Sequence, residues 1–294
     1  MPTQFVTIAT HSERYFPILK ESANRNGINL TVLGWGQEYT GHYMKDDIML
    51  KYLESLPADE NPLIVFIDGF DSIILSNAEE FDRKWEQHQR DTSKRLNDNT
   101  HSIPEVLVSR DFDPEWLARP FFSYNYSRVF SKCSDMYINA GQFMGKKSAL
   151  IEFLQLAKHY RDPKISSNQL VWALTYRDNR KDPIFLIDSQ SDIFLNYCLT
   201  NTLEGLDITV DSSTRRVHLG ITGTQPCVIS GPGSSDLDDI AKKLGYTVEN
   251  PQTNAIRWYS YLRKIPYYIN LFYPELVIIT GATMVVSAYI FNRL

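Results

Sequence analysis

The chain has 294 residues but only three cysteines, Cys133, Cys198 and Cys227. So few and so widely spaced thiols exclude a disulfide framework and a cysteine-rich zinc site. A basic face is also missing, since the formal net charge is −5 and no long run of lysine or arginine occurs. Nucleic acid is therefore excluded as a partner, because binding its phosphates needs such a face. No secretory signal opens the sequence, so we expect the folded domain to be cytosolic.

Charge is also absent near the C-terminus, where residues 276–291 read LVIITGATMVVSAYIF. About 20 apolar residues span a bilayer, and an aromatic-rich approach precedes this run. The pattern predicts a transmembrane tail helix at residues 271–294, a juxtamembrane segment at 251–270, and a single-pass membrane anchor. A hydrophobic helix docked on the domain is the other interpretation, and the protein would then be cytoplasmic.

Apolar runs alternate with helix-like stretches in the preceding 250 residues, which we treat as one domain. Five apolar residues in a row, Leu63–Ile67, predict a strand that is covered on both faces. The β–α–β–α–β order predicts a doubly wound α/β sheet with a nucleotide-binding half. Strands are predicted at 5–10, 28–33, 106–109, 136–144, 184–187 and 227–229, and helices at 15–26, 48–56, 148–160 and 166–176. Residues 79–99 are predicted to form a solvated helix and loop.

Two carboxylates, Asp68 and Asp71, directly follow the strand Leu63–Ile67. Open α/β sheets bind ligands beyond the carboxyl ends of their strands. Two carboxylates on one turn can face a single hard cation, which would bridge the diphosphate of a nucleotide sugar. The other interpretation is a capped turn.

Several segments together carry a resemblance: YFPILKESA (15–23), NLTVLGWG (29–36), FIDGFD (66–71), INAGQFMG (138–145), NQL (168–170), ID with DIF (187–188 and 192–194) and CVISGPG (227–233). In this order they resemble the glycosyltransferase domain of the procollagen lysyl hydroxylases, over roughly residues 3–246. The resemblance implies a GT-A fold that binds a UDP-sugar with Mn²⁺. It also implies transfer of glucose or galactose to hydroxylysine, or to its galactose, on collagen-like chains or glycan acceptors.

The resemblance also implies roles for individual residues. Asp68 and Asp71 would be metal ligands, and Asn168 and Gln169 would stand in the catalytic segment. The donor-binding positions would be Thr10 near the nucleotide, Tyr39 stacked on uracil, Lys45 at the phosphates, and Asn139, Gly141, Ser230 and Gly231 in the two family turns.

Three positions depart from the family pattern. Ser230 replaces the histidine that is the third metal ligand, Asn168 replaces an acid, and Gln142 replaces a glycine. A hydroxyl is a far weaker Mn²⁺ ligand than imidazole. Two hypotheses therefore stay open: an active hexosyltransferase with altered metal dependence, and a catalytically silent relative that binds nucleotide or a partner at a membrane. A different GT-A enzyme with another donor is a third. Hydroxylase activity is not expected, because the sequence holds no His-x-Asp motif.

Overall fold

The N-terminal β–α–β–α–β run is present in the computed structural model. It consists of β1 (Gln4–Ile8), α1 (Phe16–Arg25), β2 (Leu30–Leu33), α2 (Tyr43–Ser55) and β3 (Leu63–Ile67). The structure describes residues 2–96, 103–111, 137–163, 167–179, 182–197, 207–232 and 235–249. All of them belong to one compact unit, Met1–Pro251.

Seven strands or helices predicted from the later sequence are also present, and five short elements were not predicted. The elements after β3 are β4 (Ser72–Ile74), α3 (Ala78–Leu96), β5 (Val106–Asp111), β6 (Tyr137–Lys146), α4 (Lys147–His159), α5 (Asn168–Asp178), β7 (Leu186–Asp188), β8 (Phe194–Asn196), β9 (Ile208–Asp211), β10 (Arg216–Leu219), β11 (Val228–Ser230) and α6 (Asp238–Lys243). The unpredicted ones are β4, β8, β9, β10 and α6.

The central sheet is mixed and has the strand order β2-β1-β3-β6-β5-β7. Strands β2, β1 and β3 run parallel, whereas β6 is antiparallel to both β3 and β5. Ile67 at the end of β3 pairs with Gln142 in β6. The carboxyl end of β3 therefore lies beside the first half of β6, where the sequence INAG begins.

A second, three-stranded sheet has the order β4-β11-β8, and β9 and β10 form an antiparallel hairpin. Residue Ser230 in β11 pairs with Ser72 in β4. Because β4 follows β3 after only four residues, the turn between them joins the two sheets.

Two apolar clusters hold these layers together. One packs every other residue of β3, Val65 and Ile67 among them, against the inner face of α3, including Phe81 and Trp85. The other packs β4, β11 and the β9–β10 hairpin against α6. All five side chains of β3 are buried, as its uninterrupted apolar sequence predicts.

The predicted juxtamembrane segment and tail helix, residues 251–294, lie outside the described residues. Within the described part of the chain, no helix combines the length and apolar character needed to span a membrane.

Candidate functional site

The turn formed by residues 68–71 is fixed by backbone hydrogen bonds to both sheets. The Asp68 N–H donates to the Gly141 carbonyl over 2.9 Å, and the Gly231 N–H donates to the Asp71 carbonyl over 2.7 Å. A Cβ atom at Gly69 would lie 2.7 Å from the Ile8 carbonyl oxygen. Glycine is therefore required at this position, because it lets the turn pack directly against the end of β1.

Lys45, in the first turn of α2, forms an ion pair with the Asp68 carboxylate. Burial lowers the pKa of Lys45, but the Asp68 carboxylate, together with Asp71 and Tyr39, outweighs this effect and raises the pKa above its usual value. The ammonium group is therefore charged, and it sits at the carboxyl end of the strand where a phosphate would bind.

Asp71 is 9% exposed and lies between β4 and β11. Its Oδ1 accepts hydrogen bonds from the Ser230 hydroxyl over 2.9 Å and from the Ser72 hydroxyl over 3.2 Å. Burial and the Asp68 charge raise the pKa of Asp71 to about 6, against the opposing effects of Arg14, Lys45 and Ser230. Ser230 thus binds the Asp71 side chain, and Gly231 binds its carbonyl.

Asn139 and Gly141 shape the opposite side of the Asp68 carboxylate. The Asn139 Oδ1 accepts a 2.7 Å hydrogen bond from the Gly141 N–H. A Cβ atom on Gly141 would lie 2.8 Å from that oxygen and 3.7 Å from the Asp68 Oδ2. Only glycine leaves this space free, so the backbone of β6 comes close to Asp68 without covering it.

Thr10 and Tyr39 flank the same edge of the sheet. The Thr10 carbonyl, just beyond β1, accepts a 2.9 Å hydrogen bond from the Gly36 N–H. The Tyr39 side chain is 52% exposed, and its hydroxyl lies 3.2 Å from the His42 Nδ1. Burial raises the pKa of Tyr39, Lys45 lowers it and Asp68 raises it, which places the ring near that ion pair. An exposed ring near this ion pair is suited to stacking on a base.

Asn168 and Gln169 lie in the first turn of α5, and Asn168 contacts α2. The Asn168 Nδ2 donates to the Asp46 Oδ1 over 2.9 Å, while the Trp172 Nε1 donates to the Asp46 Oδ2 over 3.2 Å. Burial raises the pKa of Asp46 to about 6. Asp46 directly follows Lys45, so this contact fixes the helix that carries Lys45. Gln169 is half-buried.

Arg14, which the sequence patterns did not single out, is a further member of the site. It lies in the turn between β1 and α1, and its guanidinium lowers the pKa of Asp71. Its Nε and Nη2 atoms are buried and have no hydrogen-bond partner in the described structure. Arg14 could have been identified from the sequence as a basic residue just after the first parallel strand, at the ligand-binding edge of the sheet.

Within the part of the chain that the structure describes, the side chains do not make a complete Mn²⁺ site. Asp68 is paired with Lys45, and the Asp71 carboxylate accepts from two hydroxyls. The described residues contain no group of three or more His, Cys, Asp or Glu side chains that could hold a metal ion. Carboxylates suit Mn²⁺, but both carboxylates here are engaged by other side chains, and the neighbouring serine hydroxyl is a weak ligand.

A mixed α/β sheet with charged side chains and close-approaching glycines at the carboxyl end of β3 has the layout of a ligand-binding edge. The family model for the PLOD GT domain matches residues 2–95 and 119–250. The chain belongs to this family of procollagen lysyl hydroxylase glycosyltransferase domains.

Curated relatives agree with this assignment. The multifunctional procollagen lysine hydroxylase and glycosyltransferase of Caenorhabditis elegans is 25% identical over 253 residues, which cover 82% of this chain and 32% of that protein. The LH3 protein of the same description from Rattus norvegicus is 24% identical over 261 residues, 84% of this chain and 31% of its own. The chain therefore spans about a third of the length of these relatives.

Two solved structures share part of the chain course of this protein. One is a glycosyltransferase involved in the glycosylation of the major capsid of PBCV-1, with a TM-score of 0.43 and 11% identity, covering 83% of this chain and 97% of that one. Another is the galactosyltransferase LgtC in complex with donor and acceptor sugar analogs, with a TM-score of 0.45 and 12% identity, covering 87% and 100%.

Proposed function

We propose that this domain binds a UDP-sugar and transfers its glucose or galactose to a hydroxylysine-type or sugar hydroxyl. The observation that carries the proposal is the convergence of Lys45, Asp68, Asp71 and the Asn139–Gly141 turn at the carboxyl end of β3. Membership of the PLOD GT domain family supports the choice of donor and acceptor.

Each part of the site has a distinct task in this transfer. The exposed Tyr39 ring supports the base, and the space beside Gly141 admits the sugar end of the donor. When the bond between the sugar and the diphosphate breaks, negative charge develops on the leaving oxygen. Lys45 is a fixed, charged group already in place, so it stabilises that charge without reorganising.

A catalytically silent binding protein is the second candidate, and two contacts favour it. The Asn168 amide is engaged with Asp46, and the Ser230 hydroxyl is engaged with Asp71. Neither side chain is then free to act on a substrate, although the cleft would still bind nucleotide.

The deciding experiment measures UDP release from UDP-glucose and UDP-galactose by the full chain, with and without a hydroxylysine-containing collagen peptide. It is run in Mn²⁺ and again in EDTA. Release that depends on the peptide and is lost in Lys45→Ala supports the transferase. The control is Lys51→Ala, since Lys51 is exposed on the same helix.

Thermal shift separates the two candidates, because a ligand that binds only the folded state raises the melting temperature. A shift with UDP but no UDP release identifies the silent relative. If neither a shift nor release is seen with any donor, the proposal is wrong.

Membrane attachment through residues 271–294 belongs to the same proposal and is supported by the uncharged run at 276–291. Full-length chain should stay in the pellet of a carbonate wash, whereas a chain that ends at residue 270 should be released and folded. Full-length protein in the supernatant would contradict the anchor.

A further inference from the structure

Arg14 has an unusual backbone conformation for its residue type. Its φ is 52°, in the left-handed region that residues with a Cβ atom rarely adopt. The neighbouring Tyr15 explains how this conformation is held. The Tyr15 N–H donates to the Phe70 carbonyl over 3.3 Å, and its hydroxyl donates to the Asp238 Oδ1 over 2.5 Å. Arg14 is therefore fixed one residue away from a direct contact with the 68–71 turn.

The Arg14 guanidinium has unused hydrogen-bonding capacity inside the site. Its Nε and Nη2 atoms are buried without a hydrogen-bond partner in the described residues. Buried donors that lose water without gaining an acceptor are unfavourable, and guanidinium groups bind phosphate oxygens through paired N–H donors. The unmet donors therefore point to an anionic ligand.

The charges around the turn balance without a metal ion. Asp68 and Asp71 are faced by Lys45, which pairs with Asp68, and by Arg14, which acts on Asp71 more strongly than Lys45 does. A divalent cation at this place would lie against two fixed positive groups. The same two groups can also donate N–H hydrogen bonds to the oxygens of a diphosphate.

We propose that Arg14 and Lys45 together bind the donor diphosphate in place of a divalent cation, so that donor binding does not require Mn²⁺. The inference rests on the proposed function for the identity of the donor. The anion site itself rests on the unpartnered guanidinium nitrogens and on the Lys45–Asp68 pair.

The test is calorimetric titration of the full chain with inorganic pyrophosphate, UDP and UDP-glucose, in EDTA and in Mn²⁺. UDP should bind in EDTA, with an affinity that Mn²⁺ changes by less than about threefold. Arg14→Ala should weaken UDP and pyrophosphate binding by about tenfold or more, as expected for loss of charged hydrogen bonds. Arg14→Lys should recover part of that loss.

Arg215→Ala is the matched control, because Arg215 has a φ of 56° but is exposed in the β9–β10 hairpin. Its UDP affinity should equal that of the wild type. Should Arg14→Ala fail to fold, UDP binding is measured with Arg14→Gln, which keeps two N–H donors on a polar side chain but lacks the charge and the forked donor pair.

The outcomes separate this inference from the proposed function. UDP binding that requires Mn²⁺ and is unchanged in Arg14→Ala overturns the inference and leaves the transferase proposal intact. Arg14-dependent pyrophosphate binding, with no added affinity for UDP or UDP-glucose, supports the anion site and overturns the donor assignment. Absence of binding by all three probes to a folded chain overturns both.

Discussion

The carboxyl groups of Asp46 and Asp71 are buried to a similar extent but have different neighbouring side chains. They are 5% and 9% exposed, and burial is the main cause that raises each pKa to about 6. Both of Asp46's short hydrogen bonds come from uncharged donors, Asn168 and Trp172. Asp71 accepts from serine hydroxyls and lies in the field of Asp68, Arg14 and Lys45.

The difference predicts a structural role for Asp46 and a ligand-binding role for Asp71. Donors on α5 hold the Asp46 carboxylate, which therefore joins two helices. The charges around Asp71 come from side chains of three different segments, and one of these, Arg14, still has unmet donors. Asn168 can then be understood as a partner of Asp46, because an acid in its place would bring two buried carboxylates together.

Removal of the structural acid should have the largest effect on stability. Asp46→Ala leaves the Asn168 amide and the Trp172 indole N–H without their acceptor, and Arg161 loses a carboxylate 3.8 Å away. We expect the free energy of unfolding to fall by about 3 kcal/mol, as for loss of a buried, hydrogen-bonded charge.

Urea denaturation measures this change, and Asp47→Ala is its control. Asp47 pairs with Arg161 at 2.8 Å, but its side chain is 48% exposed. That variant should lose less than about 1 kcal/mol. Equal losses in the two variants would contradict the structural role of Asp46.

The next largest expected effect is a fall in stability as the pH rises, caused by ionisation of Asp46. The pKa of Asp46 rises on folding, from about 3.9 in unfolded chains to about 6. Ionisation therefore costs stability: the favourable contribution is present below pH 4 and is lost as the pH rises through about 6. Its size is on the order of 2–3 kcal/mol.

Unfolding free energies at several pH values, compared between wild type and Asp46→Asn, isolate this contribution. The difference between the two proteins should change between pH 4 and 7 in favour of the variant as the pH rises. A constant difference would show that Asp46 titrates at its ordinary pKa.

Restoring the acid of the family pattern should destabilise the protein rather than activate it. In Asn168→Asp the new carboxylate faces Asp46 and loses the donated hydrogen bond, at a cost of about 2 kcal/mol near neutral pH. The loss should shrink below pH 6, where Asp46 becomes protonated. Melting temperatures at pH 5 and 7.5 measure it, with Gln169→Glu as the control in the same helical turn. Gain of sugar transfer in Asn168→Asp would instead support a catalytic role for position 168.

The long elements and the metal-type motif could be predicted because their signals are local. Leu63–Ile67 is confirmed as a fully buried strand, and Asp68 follows it at the expected edge of the sheet. Strands β4 and β8 have three residues each and follow β3 and β7 after only four and five residues, so neither fits the strand–helix alternation from which the other strands were predicted. Arg14 and the Asn168–Asp46 pair could not be predicted either, because each depends on contacts between segments that are distant in sequence.

The smallest effect should come from Ser230, the residue that stands in place of the family's histidine. It is 2% exposed, and its hydroxyl donates to the Asp71 Oδ1 over 2.9 Å. Ser230→Ala removes one donor, while Ser72 still donates to the same oxygen, so the free energy of unfolding should fall by only about 1 kcal/mol.

The hydrogen bond lost in Ser230→Ala favoured the ionised form of Asp71, so the pKa of Asp71 should rise further. Well above that pKa the charges at the site are unchanged, and UDP affinity in EDTA should match the wild type. Ser213→Ala is the control, because it removes a hydroxyl that donates to Asp211 in an exposed turn away from the site. A tenfold loss of UDP affinity in Ser230→Ala alone would mean that the hydroxyl contacts the donor directly and that Ser230 is a ligand-binding residue.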